Sequence, residues 1–198
     1  MTMIAVLGNG RVGGSLALAL TRAGHEVSVA DRSPGSAADA ARTAQIVINA
    51  TPGAGSLERL IALREELQDK ILVDVSNATV DGPDGLPAEL LYPGSSLAEQ
   101  LQAALPDTRV VKTLNTMLYT VMTAPAALTQ TPTAFLSGKD PEAKQVVRAL
   151  LADLSWQQEW ITDLGGIETA RATEAAILFV PHVIRSSGFA PFAISITR

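Results

Sequence analysis

The chain has 198 residues, 47% hydrophobic and 18% charged, with a net charge of −5 and no cysteine. That is enough apolar material for one core-rich globular domain, or for one domain with a small appendage, and it excludes a disordered chain. The acidic balance, with no basic block, argues against nucleic-acid binding, and the lack of cysteine excludes disulfides and thiolate metal sites.

Met3 to Leu7 is a short apolar run that reads as a buried strand. It starts within two or three residues of the N-terminus, and no apolar run reaches the roughly 18 residues of a membrane helix. We therefore expect no secretory leader, no membrane contact and a soluble cytoplasmic protein. Gly8-Asn9-Gly10-Arg11-Val12-Gly13 follows at once. A helix over Arg11–Ala23 places Val12, Leu16, Ala19, Leu20 and Ala23 on one face, and Gly24 ends it. Val27–Ala30 is a second strand, and it ends in Asp31. A GxGxxG loop between strand and helix, with an acidic strand end about 20 residues on, has the layout of a dinucleotide-binding unit. Gly8 permits the tight turn, Gly10 the approach of a pyrophosphate, and Gly13 the close packing of helix on strand. The helix start offers free N–H groups and partial positive charge to the phosphates.

The alternation continues. We expect a helix over Ser36–Ala44, a strand over Gln45–Ala50, a helix over Ser56–Leu67 and a strand over Lys70–Val75. From Asn77 to Gly94 proline and glycine break the pattern, and such a stretch inside a domain is more often functional than accidental. A helix over Ser96–Leu105, a strand over Arg109–Leu114 and a short helix over Thr116–Thr123 follow. Next come a strand over Thr133–Ser137, a helix over Pro141–Leu151 and a strand over Trp156–Thr162. Gly166–Arg185 reads as a long helical segment bent near Pro181, and residues 186–198 as an apolar tail covering the core or a partner subunit. The expected fold is α/β: a doubly wound, mostly parallel Rossmann sheet over residues 1–165, with a C-terminal helical extension and tail over residues 166–198.

In such a sheet ligands bind beyond the carboxyl ends of the strands. There the sequence places the glycine loop, Asp31-Arg32-Ser33, Ala50-Thr51-Pro52, Ser76-Asn77 and Asn115-Thr116. Thr51, Asn77, Asn115 and Thr116 suit hydrogen bonds to amides or ring edges, although the same residue types also cap turns and helices. A carboxylate at Asp31 favours the two ribose hydroxyls of NAD, whereas Arg32 can stack on adenine or pair with the 2′-phosphate of NADP. His25, in the turn before the second strand, reads as structural. No residue stands out as catalytic. Lys112, near a strand end, and His182, after Pro181, are the two candidates for a proton donor or phosphate anchor, and each is equally well a structural residue. The two histidines give no metal signature, and there is no Gly-x-Ser-x-Gly elbow. Poor acid–base equipment favours hydride transfer between two redox rings, which needs juxtaposition and exclusion of water more than a tuned acid.

Further motifs carry a resemblance. Val73-Asp74-Val75-Ser76-Asn77, Val110-Val111-Lys112-Thr113-Leu114-Asn115-Thr116, Phe135-Leu136-Ser137-Gly138, and Asp163-Leu164-Gly165 leading to Thr169-Ala170-Arg171 resemble the F420-dependent NADP oxidoreductase family. That family is itself similar to the reductase domain of membrane metalloreductases, and the resemblance spans Met3 to about Arg185. It implies NADP(H) binding and hydride exchange with a deazaflavin (F420) or flavin. Asn9 to Val12 would hold the pyrophosphate and Thr51 and Pro52 would flank the nicotinamide ribose. Asn77, Asn115 and Thr116 would line the redox pocket, and the C-terminal part would form a homodimer. One departure is Asp31-Arg32 where the family tends to carry Ser/Thr-Arg, which leaves NAD open. Two other readings remain: a reductase of a small imine or carbonyl compound with Lys112 or His182 as proton donor, and an NAD(P)-sensing module without turnover.

Overall fold

Runs of adjacent apolar residues build the centre of the sheet. In the computed structural model, which describes residues 1–196, these are β1 (Met3–Leu7), β3 (Ile46–Asn49), β4 (Ile71–Asp74) and β7 (Arg109–Lys112). Both faces of such strands are covered, so they carry no polar alternation. The edge strand β2 (Glu26–Ala30) has one face in water, and its sequence EVSVA mixes polar and apolar residues accordingly. The sheet order is β2-β1-β3-β4-β7-β8-β9, with β8 (Ala134–Gly138) antiparallel to β7 and β9 (Ile161–Gly165) parallel to β8.

Alternate residues of each strand feed two cores. Ile4, Val6, Ile48 and Val73 point to one side, against Leu16 and Leu20 of α1 (Arg11–Arg22) and Val147 and Leu150 of α7 (Pro141–Asp153). Ala5, Leu7, Val47 and Leu72 point to the other, against Ala41 of α2 (Ser36–Thr43) and Leu97 and Leu101 of α5 (Leu97–Ala104). Two helix starts follow their sequence signals. The Ser96 hydroxyl accepts from Glu99 N–H, and the Asp140 carboxylate accepts from the amides of Glu142 and Ala143 ahead of a helix that opens on Pro141.

Four expectations change. The helix over Ser56–Leu67 is two short helices, α3 (Ser56–Ile61) and α4 (Arg64–Leu67). The Pro/Gly-rich stretch forms a small hairpin of β5 (Thr79–Asp81) and β6 (Pro87–Leu90). The strand predicted from Trp156 begins only at Ile161. Ser155 turns the chain with φ 71°, the buried Trp156 indole donates at 2.9 Å to the carbonyl of Met122, the last residue of α6 (Tyr119–Met122), and Gln158–Trp160 is a 3-10 turn. The segment Gly166–Arg185 is helical from Ile167 onward, as expected, but not as one regular α-helix. It alternates 3-10 turns with α8 (Ala170–Ala175) and α9 (Val180–Ser187), and Pro181 sits in the first turn of α9, where it costs no hydrogen bond.

The apolar tail lies along the domain. Leu118 N–H donates to Phe192 O at 2.9 Å, Ile194 N–H to Thr116 O at 3.1 Å, and Thr133 N–H to Ile194 O at 3.2 Å. The last two residues of the expected tail, 197–198, lie outside the described part. No helix of the described residues is long and apolar enough to cross a membrane.

Candidate functional site

The strand order reverses at β1, whose neighbours β2 and β3 lie on opposite sides. Chains leaving the carboxyl ends of these strands part there and leave a crevice. Its volume is about 1480 Å³. Pockets for a single drug-sized ligand measure about 300–1,000 Å³, so the crevice has room for a dinucleotide and part of a second molecule.

The glycine loop forms its floor. Gly8, Asn9, Gly10, Arg11 and Val12 line the crevice. The first bond of α1 runs from Gly14 N–H to Gly10 O, so the preceding amides have no carbonyl a turn back in the helix and are free for an anion. A side chain added at Gly10 would meet nothing within 4 Å, which keeps the approach open. Gly13 does not line the crevice. Its missing Cβ would stand 1.9 Å from Gly8 O, so its place is the contact between helix and loop. The Arg11 guanidinium lies over the Tyr119 ring, 5.6 Å from its centre.

At one end sit Asp31, Arg32 and Ser33. The Asp31 carboxylate accepts the Ser33 N–H at 2.8 Å, while Asp31 N–H donates to the Ser36 hydroxyl at 3.1 Å. The Ser33 amide, then the Ser33 and Ser36 hydroxyls, hold the carboxyl below the usual carboxylate range. Arg32 is exposed and has no charged partner among the described residues.

At the other end are Ala50, Thr51, Pro52, Asn77 and Asn115. Asn77 Nδ2 donates to Asn115 O at 2.9 Å, and Asn115 Nδ2 donates back to Asn77 Oδ1 at 3.0 Å. This double bond ties the loop after β4 to the loop after β7. Leu114, just before Asn115, has φ 59°, a left-handed conformation unfavourable for leucine and the kind of strain found beside sites.

Three expected residues stand elsewhere. Thr116 is buried but does not line the crevice; its carbonyl holds Ile194. Lys112 is no strand-end surface lysine. It is 1% exposed, and its ammonium donates to Asp74 Oδ2 at 2.7 Å, to Glu174 Oε1 at 2.8 Å and to Ser76 O, so it offers no proton to a ligand. His182 lines a separate surface groove with Asp84, Pro87 and Arg185. His25, read as structural, bonds Asp153 at 3.0 Å.

Other features escaped the sequence reading. A Cβ at Gly53 would lie 2.1 Å from Asn77 O, so this glycine lets the loops after β3 and β4 touch. Arg59 donates to the carbonyls of Pro52 and Ala54 and fixes the first of them. Met117, Leu118 and Met122 form one apolar wall, and Ile177, Val180 and Phe192 from the C-terminal segment form another. The available signal was the cluster of aromatic and aliphatic residues without period near the chain end.

Comparison with known proteins agrees with this geometry. The family model described as NADP oxidoreductase coenzyme F420-dependent matches residues 3–78. The F420-dependent NADP reductase of Methanocaldococcus jannaschii is 30% identical over 143 residues, 69% of this chain and 60% of that protein. The present chain thus spans about three-fifths of that relative's length. The crystal structure of a candidate F420-dependent NADP reductase of Arthrobacter sp. FB24 is 36% identical, covers 100% of both chains and superposes with a TM-score of 0.91. An imine reductase of Myxococcus stipitatus, solved with NADP+, is 16% identical with a TM-score of 0.66 and covers 93% of this chain and 62% of its own, a likeness of fold alone.

Proposed function

Because the chain belongs to the F420-dependent NADP oxidoreductase family, we propose that it transfers hydride between a nicotinamide nucleotide and the deazaflavin F420, with a flavin as the alternative acceptor. The observation that carries this reading is the crevice itself. It is continuous from the glycine loop to the Asn77–Asn115 pair, and two apolar walls flank the far end.

A bound nicotinamide supplies or accepts the hydride. The chain's own residues bind, orient and keep water out. The free amides at the start of α1 and the Arg11 guanidinium receive the pyrophosphate. Thr51 and Pro52 flank the nicotinamide ribose. Asn77 and Asn115, each oriented by the other, present amide edges to the redox pair. Met117, Leu118, Ile177 and Val180 exclude water around the reacting carbons. The reading of a small imine or carbonyl substrate is weakened, because Lys112 and His182, its two proton donors, lie outside the crevice. Among the crevice side chains the neutral O–H donors that remain are the Tyr119 phenol and the hydroxyls of Ser33, Thr51 and Ser76.

The test is to titrate the purified protein with NADPH and NADH by nicotinamide fluorescence, then add F420 or FAD and follow loss of the nicotinamide absorbance. Oxidation with F420 is the expected result. Tight binding without oxidation by either acceptor leaves the sensing module as the reading, and no binding refutes both. A cytoplasmic homodimer belongs to the same proposal. Phe179 and Phe189 of the C-terminal segment are each 66% exposed, and light scattering gives the mass directly.

NADP is the proposed nucleotide, with NAD admitted through Asp31. Asp31→Ser keeps an acceptor for the Ser33 amide and removes the charge that repels a 2′-phosphate. It should move the NADPH/NADH affinity ratio toward NADPH by roughly tenfold. An unchanged ratio in the two titrations would place the Asp31 carboxylate away from the ribose.

A further inference from the structure

A chain of buried polar groups runs behind the crevice. Lys112, Asp74, Glu174 and Asn49 are 1%, 0%, 3% and 0% exposed. The three ammonium donors of Lys112 go to Asp74, Glu174 and Ser76 O. Asp74 Oδ1 accepts from Asn49 Nδ2 and from the Ser76 hydroxyl, each at 2.8 Å. Asn49 Oδ1 accepts from the Thr51 hydroxyl at 2.7 Å. Glu174 also accepts the Leu97 and Ala98 amides, at 2.9 and 3.2 Å, at the start of α5. Every charged member is satisfied.

Such a network is a poor way to gain stability, since well-packed apolar residues often do as well or better. Its other property is rigidity: it admits one geometry. Its placement shows what that geometry fixes. Each member stands two or three residues before a crevice residue: Asn49 before Thr51, Asp74 before Asn77, Lys112 before Asn115, and Glu174 before Ile177. The first three carry the strand-end side of the crevice, where Thr51, Asn77 and Asn115 stand, and Glu174 carries the wall of Ile177 and Val180 that faces it.

We propose that the Asp74–Lys112–Glu174 network sets the spacing between the two walls, with Lys112 and Glu174 as positioning residues for hydride transfer. Glu174 is the member supplied by the C-terminal segment, so it registers that segment, with Ile177 and Val180, against the nucleotide half. This inference rests on the hydride-transfer reading above. Its weight comes from the sensitivity of transfer to placement, where an error of about 1 Å can cost about 100-fold.

The test uses Glu174→Gln, which leaves the Asp74–Lys112 pair neutral overall, and Glu174→Met as a second variant in case the first does not fold. Three quantities are read on each: the NADPH Kd by fluorescence, kcat and KM for F420, and the melting temperature. The expected result is an NADPH Kd within about twofold of the parent, with kcat at least about tenfold lower and a raised F420 KM. A merely structural role would lower the melting temperature and leave kcat and KM of the folded protein unchanged, and that result overturns the proposal. If the parent protein oxidises NADPH with neither F420 nor FAD, the hydride-transfer reading fails separately. Amide exchange then decides the positioning. Faster exchange confined to the walls, around residues 113–119 and 174–180, supports it, and unchanged exchange there overturns it.

Discussion

Replacing Lys112 by methionine should cost about 3–5 kcal/mol of folding stability, because it leaves the Asp74 and Glu174 carboxylates buried, close together and without their cation. For a chain of this size that is a fall of about 6–20 °C in melting temperature. Burial alone pushes the Lys112 ammonium down, but the facing carboxylates of Asp74 and Glu174 outweigh it and hold the group above the ordinary lysine value. A raised lysine contributes stability that is fully present below its unfolded value and is lost only as pH rises through the folded one. At the alkaline end the penalty of Lys112→Met should therefore shrink only in strong alkali, while toward acid it should fall, because one of the two uncompensated carboxylates of the variant takes up a proton. Calorimetry of parent and variant between about pH 6 and pH 9 checks both the size of the penalty and its rise with pH. A penalty below about 1 kcal/mol would mean that the lysine is not the shared counter-ion of the two acids.

The second large effect is expected at Gly13. A methyl group there would stand 1.9 Å from Gly8 O and 3.2 Å from Val6 Cγ1. The loop has no easy retreat: Gly8 sits at φ 109°, and its own missing Cβ would lie 2.7 Å from Ala50 O. Gly13→Ala must move α1 or the loop, so it should cost about 3 kcal/mol or more and weaken NADPH binding at least about 100-fold. Gly10→Ala is the contrast. Nothing surrounds that position within 4 Å, so the fold should be spared and the loss confined to nucleotide affinity. Thermal melting and fluorescence titration of the two variants separate the roles. If Gly13→Ala binds NADPH like the parent, the loop is not the pyrophosphate cradle.

These two positions differ in how far they were legible. Gly13 was readable because its contact is local: strand, loop and helix follow one another within thirteen residues. The central strands were readable for a related reason, since Ile46–Asn49 and Ile71–Asp74 must be apolar on both faces. Lys112 was not readable. A lysine closing Val110-Val111-Lys112 looks like a strand end reaching water, and only the arrival of Glu174 and Asp74 turns it into a core residue. Trp156 misled in the same way. Its aromatic, β-favouring neighbourhood suggested a strand, but its indole found the Met122 carbonyl and the chain turned first.

The glycine loop, the acidic end of β2, the doubly wound sheet and the small polar residues at the strand ends are all legible along the chain. Each is written in spacings of a few residues, and local backbone geometry enforces them. The far end of the crevice depends on the folded chain. Which polar residues face the crevice (Asn77 and Asn115 but not Thr116), which titratable groups are sealed away (Lys112), and which aperiodic segment supplies the second wall all depend on contacts between distant parts of the chain. Those contacts are fixed by burial and by the pairing of buried charges, which no spacing along the chain records.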